Sequence, residues 1–204
     1  MIEVNAISKQ FGKLEILKKV TMSLPAGECI ALIGPNGCGK TTLIKCILGM
    51  VLPTSGTILF EGKPIDNEYL YRNKIGYMPQ MGRYPDNMTI GQIIKMMKEI
   101  RKEEKTLDEE LYEQYGLSKL LNKKMRTLSG GTIQKVSATL AFMFNPAVYI
   151  LDEPTAGLDP IASEILKEKI IKEKEKGKLF LITSHLLSEL DDLVTQLIFM
   201  QEGN

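Results

Sequence analysis

Several features common in membrane, secreted and nucleic-acid-binding proteins are missing from this 204-residue chain. No apolar run approaches the roughly 20 residues of a membrane-spanning helix, and no signal peptide opens the sequence. The three cysteines show no metal-ligand spacing, which is typical of a protein in a reducing cytosol. Lys and Arg number 26 against 25 Asp and Glu, so the net charge of +1 gives no overall field to attract nucleic acid. A role at a membrane would therefore require another subunit to hold the chain there.

The length suits one well-buried domain and is short for two. Near the start, Ile2, Val4 and Ala6 alternate with polar residues, which predicts a strand with one solvated face. Later apolar runs and helical periods predict alternating strands and helices at 29–33, 40–48, 57–60, 75–78, 133–144, 147–151, 160–176, 179–183 and 197–200. The sum is an α/β fold with an antiparallel edge near the start and a helical insert at about 86–127.

A tract rich in Lys and Glu spans residues 167–178. Its charges alternate in sign, with Glu168 four residues before Lys172. This pattern favours a solvated helix face over a basic binding patch.

Residues 34–41 read Gly-Pro-Asn-Gly-Cys-Gly-Lys-Thr between a predicted buried strand and a predicted helix. The glycines let backbone N–H groups converge on phosphate oxygens, and the helix N-terminus adds a favourable dipole. Lys40 can reach the β- and γ-phosphates, and Thr41 can offer its hydroxyl to Mg²⁺. The sequence therefore predicts a nucleotide site formed by Gly34, Pro35, Asn36, Gly37, Cys38, Gly39, Lys40, Thr41 and Thr42. This motif alone does not choose among kinases, GTPases and ATPases.

Cys38 allows two interpretations. A small side chain at this position can fill space in the loop, which is the commoner role. A thiol at a helix N-terminus beside Lys40 is also expected to be reactive, and its alkylation would then block nucleotide binding. Cys29 and Cys46 are expected to be buried in a strand and a helix and to react slowly.

Two carboxylates, Asp152 and Glu153, end the apolar run Val148–Leu151. A carboxylate at the mouth of a buried strand suits Mg²⁺, because this hard cation keeps several of its waters. Glu153 can polarise an attacking water as a general base. Because a phosphate loop is also present, the pair is interpreted as catalytic rather than as a polar strand end.

The residues Leu128, Ser129, Gly130, Gly131 and Thr132, here named the signature segment, precede a helix predicted to start near Thr132. Taken alone they indicate a Ser N-cap with glycines in a loop. Two glycines at a helix N-terminus also make an anion site, but this one lacks a lysine. Such a site cannot hold a nucleotide by itself.

The order and spacing of the phosphate loop, the signature segment and Asp152-Glu153 resemble the ATP-binding-cassette ATPases, the motor subunits of ABC transporters. The resemblance covers almost the whole chain. It implies a single ABC ATP-binding domain over residues 1–204, built on a phosphate-loop (RecA-like) α/β core with a mostly parallel sheet. An antiparallel β-edge subdomain and a small α-helical subdomain complete this fold, and ATP hydrolysis with Mg²⁺ is the implied activity. Since family members usually continue further, the chain end is expected to be short or trimmed.

Further positions match the family's motifs one by one. The resemblance implies that Gln80 contacts Mg²⁺ and the attacking water, that His185 contacts the γ-phosphate, and that Phe11 stacks on adenine. The implied Mg²⁺ contacts are Thr41, Gln80 and Asp152. Asp159 lies in a stretch similar to the loop through which family subunits touch near the nucleotide. Thr132 replaces the usual glutamine, and its hydroxyl is expected to preserve ATP sensing.

The resemblance also implies the partners. In the family the signature segment closes over ATP bound to a second subunit, which predicts a head-to-tail dimer, with itself or a homologous subunit, holding two ATP molecules. A separate integral membrane permease is the other implied partner, with this chain cytoplasmic and peripheral on the inner face of the cell membrane. The region after Gln80 is expected to form the groove for a permease helix. Neither the cargo nor the direction of transport is encoded here.

Non-transport members of the superfamily are the alternative. DNA-repair members need a long coiled coil between Gln80 and Leu128, and the intervening residues are too few and show no sustained heptads. Translation factors carry two cassettes in one chain, whereas this chain has one. Within the transporters, Leu128–Lys135 and Asn145–Pro160 are similar to an exporter-type ATPase, the one accessory to nitrous-oxide-reductase maturation.

Overall fold

The computed structural model describes residues 1–65, 69–101, 107–184 and 193–204. The strands are β1 (Ile2–Phe11), β2 (Leu14–Leu24), β3 (Cys29–Ile33), β4 (Ser55–Phe60), β5 (Lys63–Pro64), β6 (Ile75–Met78), β7 (Val148–Asp152), β8 (Leu179–Thr183) and β9 (Gln196–Phe199). The helices are α1 (Lys40–Ile47), α2 (Ile90–Arg101), α3 (Glu110–Gln114), α4 (Gly130–Met143) and α5 (Pro160–Glu175), with short 3₁₀ helices at Leu70–Lys74, Leu117–Leu120 and Met125–Thr127.

A five-stranded sheet with the order β6-β7-β8-β3-β9 forms the centre of the fold. All its pairings among the described residues are parallel. β7 and β8 are buried along their whole length, because helices cover both faces of the sheet. One face packs against α1 and the other against α4 and α5. The predicted mostly parallel α/β core is therefore confirmed.

A second sheet has the order β2-β1-β4-β5 and is antiparallel, which confirms the antiparallel edge predicted near the start. One detail of the prediction is wrong. Ile2 and Val4 face the core, but Ala6 has a φ of +50° at an irregularity in the pairing, and Ile7 is buried in its place. A bulge shifts the period of the strand by one residue, which alternation alone cannot reveal.

The range predicted to be a helical insert, 86–127, contains α2, α3 and two of the 3₁₀ helices. These elements share a separate apolar cluster with the outer face of α4. The buried residues of this cluster are Ile90, Ile93, Ile94, Leu117, Met125, Val136, Leu140, Met143 and Phe144. The insert is thus held against the core mainly through α4.

Helix α4 begins at Gly130, two residues before the predicted start at Thr132. Glycine has a low helix propensity, so the two glycines suggested a loop. Ser129 caps the helix, since its side chain accepts a hydrogen bond from the Thr132 N–H at 3.3 Å. Gly49, which follows α1, has a left-handed φ of +63°, a conformation common at the end of a helix.

The prediction of a solvated face for the tract 167–178 is wrong for two residues. Lys169 is 2% exposed and Glu173 is fully buried. Lys169 Nζ lies 2.5 Å from Asp108 Oδ2 and 2.9 Å from Glu110 Oε2, which joins α5 to the segment entering α3. Burial opposes the charge on Lys169, but hydrogen bonds to these carboxylates raise its pKa. The alternating signs in the sequence do not reveal that carboxylates from a distant segment contact Lys169 and allow it to be buried.

Within the described ranges, no helix combines the length and the apolar character that crossing a bilayer requires.

Candidate nucleotide site

The predicted phosphate loop connects β3 to the N-terminus of α1. Gly39 is the N-cap of α1 with a φ of +109°, a conformation that favours glycine. A Cβ at Gly39 would lie 2.9 Å from Leu17 Cδ2 and 3.0 Å from the Ile16 carbonyl oxygen. Strand β2 therefore presses against this turn, and glycine is required by both conformation and space.

The ammonium group of Lys40 lies inside the loop. Its Nζ donates to the carbonyl oxygens of Gly34 at 2.7 Å and Pro35 at 3.1 Å, and it lies 3.8 Å from Cys38 Sγ. These contacts hold the positive charge in the concave side of the loop, where backbone N–H groups of a helix N-terminus also favour an anion.

The two predicted catalytic carboxylates lie at the carboxyl edge of the parallel sheet. Asp152 ends β7 and is 4% exposed, and it accepts a hydrogen bond from the Thr183 hydroxyl at 2.6 Å. Glu153 follows with a φ of +51°, and its N–H donates to Thr183 Oγ1 at 3.0 Å. A non-glycine residue in this conformation is strained, so Thr183 on β8 helps to fix the turn that directs Glu153.

A cleft of about 250 Å³ opens at this edge. Gln80, which follows β6, donates from Nε2 to Glu153 Oε2 at 3.1 Å. On β6, burial and then the charge of Asp152 raise the pKa of Tyr77 to about 12, so this phenol stays neutral. The cleft is lined by Ile16, Asn36, Gly37, Gly39, Lys40, Thr41, Thr42, Gln80, Asp152 and Glu153. The structure thus brings the phosphate loop, Gln80 and the carboxylate pair together.

The signature segment lies elsewhere, at the N-terminus of α4. The hydroxyls of Ser129 and Thr132 are hydrogen-bonded to each other at 2.9 Å. A Cβ at Gly131 would lie 2.7 Å from the Gly157 carbonyl oxygen, whereas a Cβ at Gly130 would meet nothing within 4 Å. Gly131 is therefore needed for close packing within the chain, whereas no contact within the described chain requires a glycine at Gly130. Leu128 packs on the apolar cluster of the insert.

Asp159, the predicted dimer-contact residue, caps α5 and accepts from the Ala162 N–H at 2.9 Å. Its second carboxyl oxygen lies 2.7 Å from Lys135 Nζ on α4. The hydrogen bond from Lys135 and then that from the backbone of Ala162 lower the pKa of Asp159. This ion pair joins the loop before α5 to α4, the helix that begins within the signature segment.

Among the described residues predicted to bind nucleotide, Phe11, Gly34, Pro35 and Cys38 do not line the cleft. Phe11 is half exposed at the end of β1, with its ring centroid 4.8 Å from Lys9 Nζ, and its contact with adenine stays a prediction. His185 lies outside the described residues. Cys38 is 4% exposed and belongs to the core beneath the loop, which contradicts a readily alkylated thiol and agrees with the space-filling interpretation.

Three residues of the site were missed from the sequence. Thr183 ends its strand beside the end of β7, so the alignment of strand ends could have revealed it. Gln134 is a polar residue on a largely apolar helix, 5% exposed, and it donates to the carbonyl oxygens of Gln80 at 2.8 Å and Ala156 at 3.4 Å. Ile16 lines the cleft from β2, and nothing in its sequence context indicates that.

Comparisons with known proteins agree with this geometry. A family profile described as "ABC transporter" matches residues 17–156. The lantibiotic transport ATP-binding protein SrtF of Streptococcus pyogenes is 34% identical over 203 residues, covering 100% of this chain and 88% of that protein. The Nod factor export ATP-binding protein I of Burkholderia lata is 32% identical over 210 residues, covering 99% of this chain and 68% of that protein.

Solved structures give the same result. The ATP-binding subunit of an ABC transporter superposes with a TM-score of 0.91 at 30% identity, covering 100% of this chain and 87% of that one. A dimeric bacterial ABC transporter cassette superposes with a TM-score of 0.86 at 24% identity, covering 100% and 95% of the two chains, which supports the fold. Because the match extends over the phosphate loop, the signature segment and the carboxylate pair, this chain belongs to the ABC transporter family as an ATP-binding, ATP-hydrolysing subunit.

Proposed function

We propose that two copies of this chain, or one copy and a homologous subunit, close head to tail around two ATP molecules and so drive a separate membrane permease. One observation carries the proposal. Among the described residues, the cleft that holds Lys40 and Glu153 is lined by no residue of the signature segment. A second copy related by two-fold symmetry would place its signature segment over this cleft, because head-to-tail pairing brings the signature segment of each copy to the cleft of the other. The open space around Gly130 allows such an approach.

Hydrolysis in this proposal uses the groups that meet in the cleft. Glu153 accepts a proton from a water molecule, and Gln80 orients that water through the contact that joins their side chains. The water oxygen forms a bond to the γ-phosphorus while the bond from that phosphorus to the β,γ-bridging oxygen breaks. ADP and inorganic phosphate are the products. The ammonium of Lys40 offsets the negative charge on the phosphate oxygens.

The residues at this edge also fit Mg²⁺. Thr41, Gln80 and Asp152 line one cleft and offer a hydroxyl, an amide carbonyl and a carboxylate, which are the oxygen donors that this cation prefers. These three residues would hold the ion, directly or through its waters. When bound, Mg²⁺ supplies positive charge to the phosphate oxygens.

Coupling to transport is proposed from the family and its named members. A permease would hold the chain at the inner face of the cell membrane, and the segment following Gln80 would contact it. Met81 in this segment is exposed, and a flexible apolar side chain suits such a surface. Export is the proposed direction, since one relative is named for Nod factor export. Within the exporters, the similarity to the nitrous-oxide-reductase maturation ATPase remains a proposal.

The test is ATP-driven dimerisation. The Glu153→Gln variant, which should bind ATP without hydrolysing it, is expected to double its mass in light scattering with Mg·ATP but not with Mg·ADP. Adding Ser129→Arg should keep it monomeric, because the new side chain fills the surface that meets the partner's ATP. Ser23→Arg, on the exposed side of β2, is the matched control and should dimerise normally. A monomer in every condition would contradict the sandwich.

A further inference from the structure

The loop that carries Gln80 lies directly on α4. Tyr84 Oη is 2.9 Å from Ser137 Oγ, and a Cβ at Gly82 would lie 2.3 Å from the same oxygen. One turn nearer the signature segment, Gln134 Nε2 donates to the carbonyl oxygen of Gln80 itself at 2.8 Å. The backbone position of Gln80 is therefore set by α4 rather than by strand β6 alone.

The same amide group reaches the loop that carries Glu153. Gln134 Nε2 also lies 3.4 Å from the Ala156 carbonyl oxygen, and the Ala156 N–H donates to the Glu153 carbonyl oxygen at 3.1 Å. One side chain thus binds the backbone on both sides of the contact between Gln80 and Glu153.

The orientation of this amide follows from its partners. Both neighbours are carbonyl oxygens, which can only accept, so the Nε2 group must face them. The other end, Oε1, is buried and has no hydrogen-bond partner among the described residues. An unpaired buried oxygen costs free energy that an apolar side chain of the same size would avoid. Packing alone therefore does not account for glutamine at this position, whereas its two donated hydrogen bonds do.

We propose that Gln134 is a positioning residue for hydrolysis, which holds Gln80 against Glu153 and makes their spacing depend on the helix that bears the signature segment. The proposal rests on the proposed function of Gln80 and Glu153. Since Gln134 lies two residues beyond Thr132, a shift of the signature segment on contact with a second copy would move both loops of its own chain. Closure of one site would in this way adjust the other.

The test compares the steady-state ATPase activity of Gln134→Met with that of the wild type. Methionine keeps the volume and removes the donor, so kcat should fall about 10- to 100-fold, the size of effect that small misplacements of reacting groups produce. The KM for ATP should stay within about twofold, because no contact of the phosphate loop is removed. All rates are divided by the number of sites that bind a fluorescent ATP analogue, so unfolded protein does not count.

Thr139→Val is the matched control on the same helix. The hydroxyl of Thr139 is also buried and has no hydrogen-bond partner among the described residues, so its loss should leave kcat unchanged. If Gln134→Met folds poorly, Gln134→Asn keeps the amide but shortens its reach, and it should lower kcat in the same way. A kcat within about twofold of the wild type in the folded variant would overturn the proposal.

A double variant separates positioning from a general structural role. If Gln134 acts through Gln80, then Gln134→Met should lower kcat little further in a Gln80→Ala background, because the group it positions is already gone. Effects that multiply would overturn the inference while leaving the function of Gln80 intact. A normal kcat for Gln80→Ala alone would overturn the proposed function of Gln80, and this inference with it.

Discussion

Lys169 Nζ lies 3.1 Å from Glu173 Oε1 on the same helix, and both side chains are buried. Glu173 Oε1 also accepts from Lys176 at 2.6 Å, and Lys178 Nζ lies 2.6 Å from the other carboxylate oxygen, Oε2, as an ion pair. Each charge in this cluster is therefore matched by opposite charges in contact with it, which is the condition under which burial of ions is tolerated. The cluster also reaches Asp108, so it fastens the helical insert to α5.

Removal of Lys169 should be costly. Lys169→Met leaves the carboxylates of Glu173 and Asp108 short of a buried partner, and the free energy of unfolding should fall by about 3–5 kcal/mol. Lys172→Met is the matched control on the same helix, since the half-exposed Lys172 should matter by less than about 1 kcal/mol. Urea denaturation measures both, and equal losses would contradict the buried cluster.

Acid should weaken the same cluster. Burial opposes ionisation of Glu173, but hydrogen bonds from Lys176, Lys178 and Lys169 outweigh it and lower the pKa of Glu173 to about 2. A lowered carboxyl pKa stabilises the fold fully above the unfolded value near 4.5, and this stability is lost as the pH falls toward 2. The free energy of unfolding of Glu173→Gln should therefore change less between these pH values than that of the wild type. Glu168→Gln, on the exposed face, should keep the wild-type pH dependence.

Glu153→Gln should separate binding from hydrolysis. The amide keeps the size of the side chain but cannot accept the proton, so turnover should fall by roughly 10²–10⁴. ATP affinity should persist, since Lys40 and the loop are untouched. ATPase rates at saturating Mg·ATP and equilibrium binding check the two parts, with Glu175→Gln on the surface of α5 as the control. Near-normal turnover would remove Glu153 from the mechanism.

The two signature glycines should respond differently to alanine. At Gly131 the new Cβ meets a backbone oxygen at 2.7 Å, so Gly131→Ala should lower the free energy of unfolding by about 1–3 kcal/mol. At Gly130 the space is open and alanine favours the helix, so stability should stay or rise by up to about 1 kcal/mol. ATP-driven dimerisation of Gly130→Ala should nevertheless weaken, because a partner molecule is what approaches there. Normal dimerisation of Gly130→Ala would count against that contact.

Alkylation of the cysteines should be slow in the folded protein. All three thiols are buried, and burial raises the pKa of Cys29 to about 11, so little reactive thiolate forms there. A maleimide time course should show full reaction only after denaturation, with or without ATP. Fast labelling of the native protein that is absent from Cys38→Ser would show that the loop opens.

The sequence was sufficient to predict those features that depend on residues close together in the chain. The phosphate loop, the strand ending in Asp152 and the cap at Ser129 are local patterns, and the structure places each on the predicted element. The parallel sheet then explains why segments far apart in sequence meet at one edge. Gln80, which only the family resemblance had assigned to the attacking water, lies beside Glu153 at this edge.

Residues that act through distant contacts escaped prediction. The burial of Lys169 depends on Asp108 and Glu110, sixty or so positions away, and no period in α5 shows that. Gln134 looks like an ordinary polar residue until the two carbonyl oxygens above it are known. The prediction that Ala6 faces the core was wrong because one bulge changes which residues of β1 face inward.

The pairing of Asp152 with Thr183 across β7 and β8 has a consequence for refolding. A slip of β8 by one residue along β7 would turn the side chains of β8 to the opposite face of the sheet, and the Thr183 hydroxyl would no longer meet the Asp152 carboxylate. Chains with such a slip would keep a sheet and a compact shape but would not hydrolyse ATP. The fraction of ATPase activity recovered after denaturation should therefore equal the fraction of molecules with the correct register, each with full turnover. A partial loss of activity shared by every molecule is not expected.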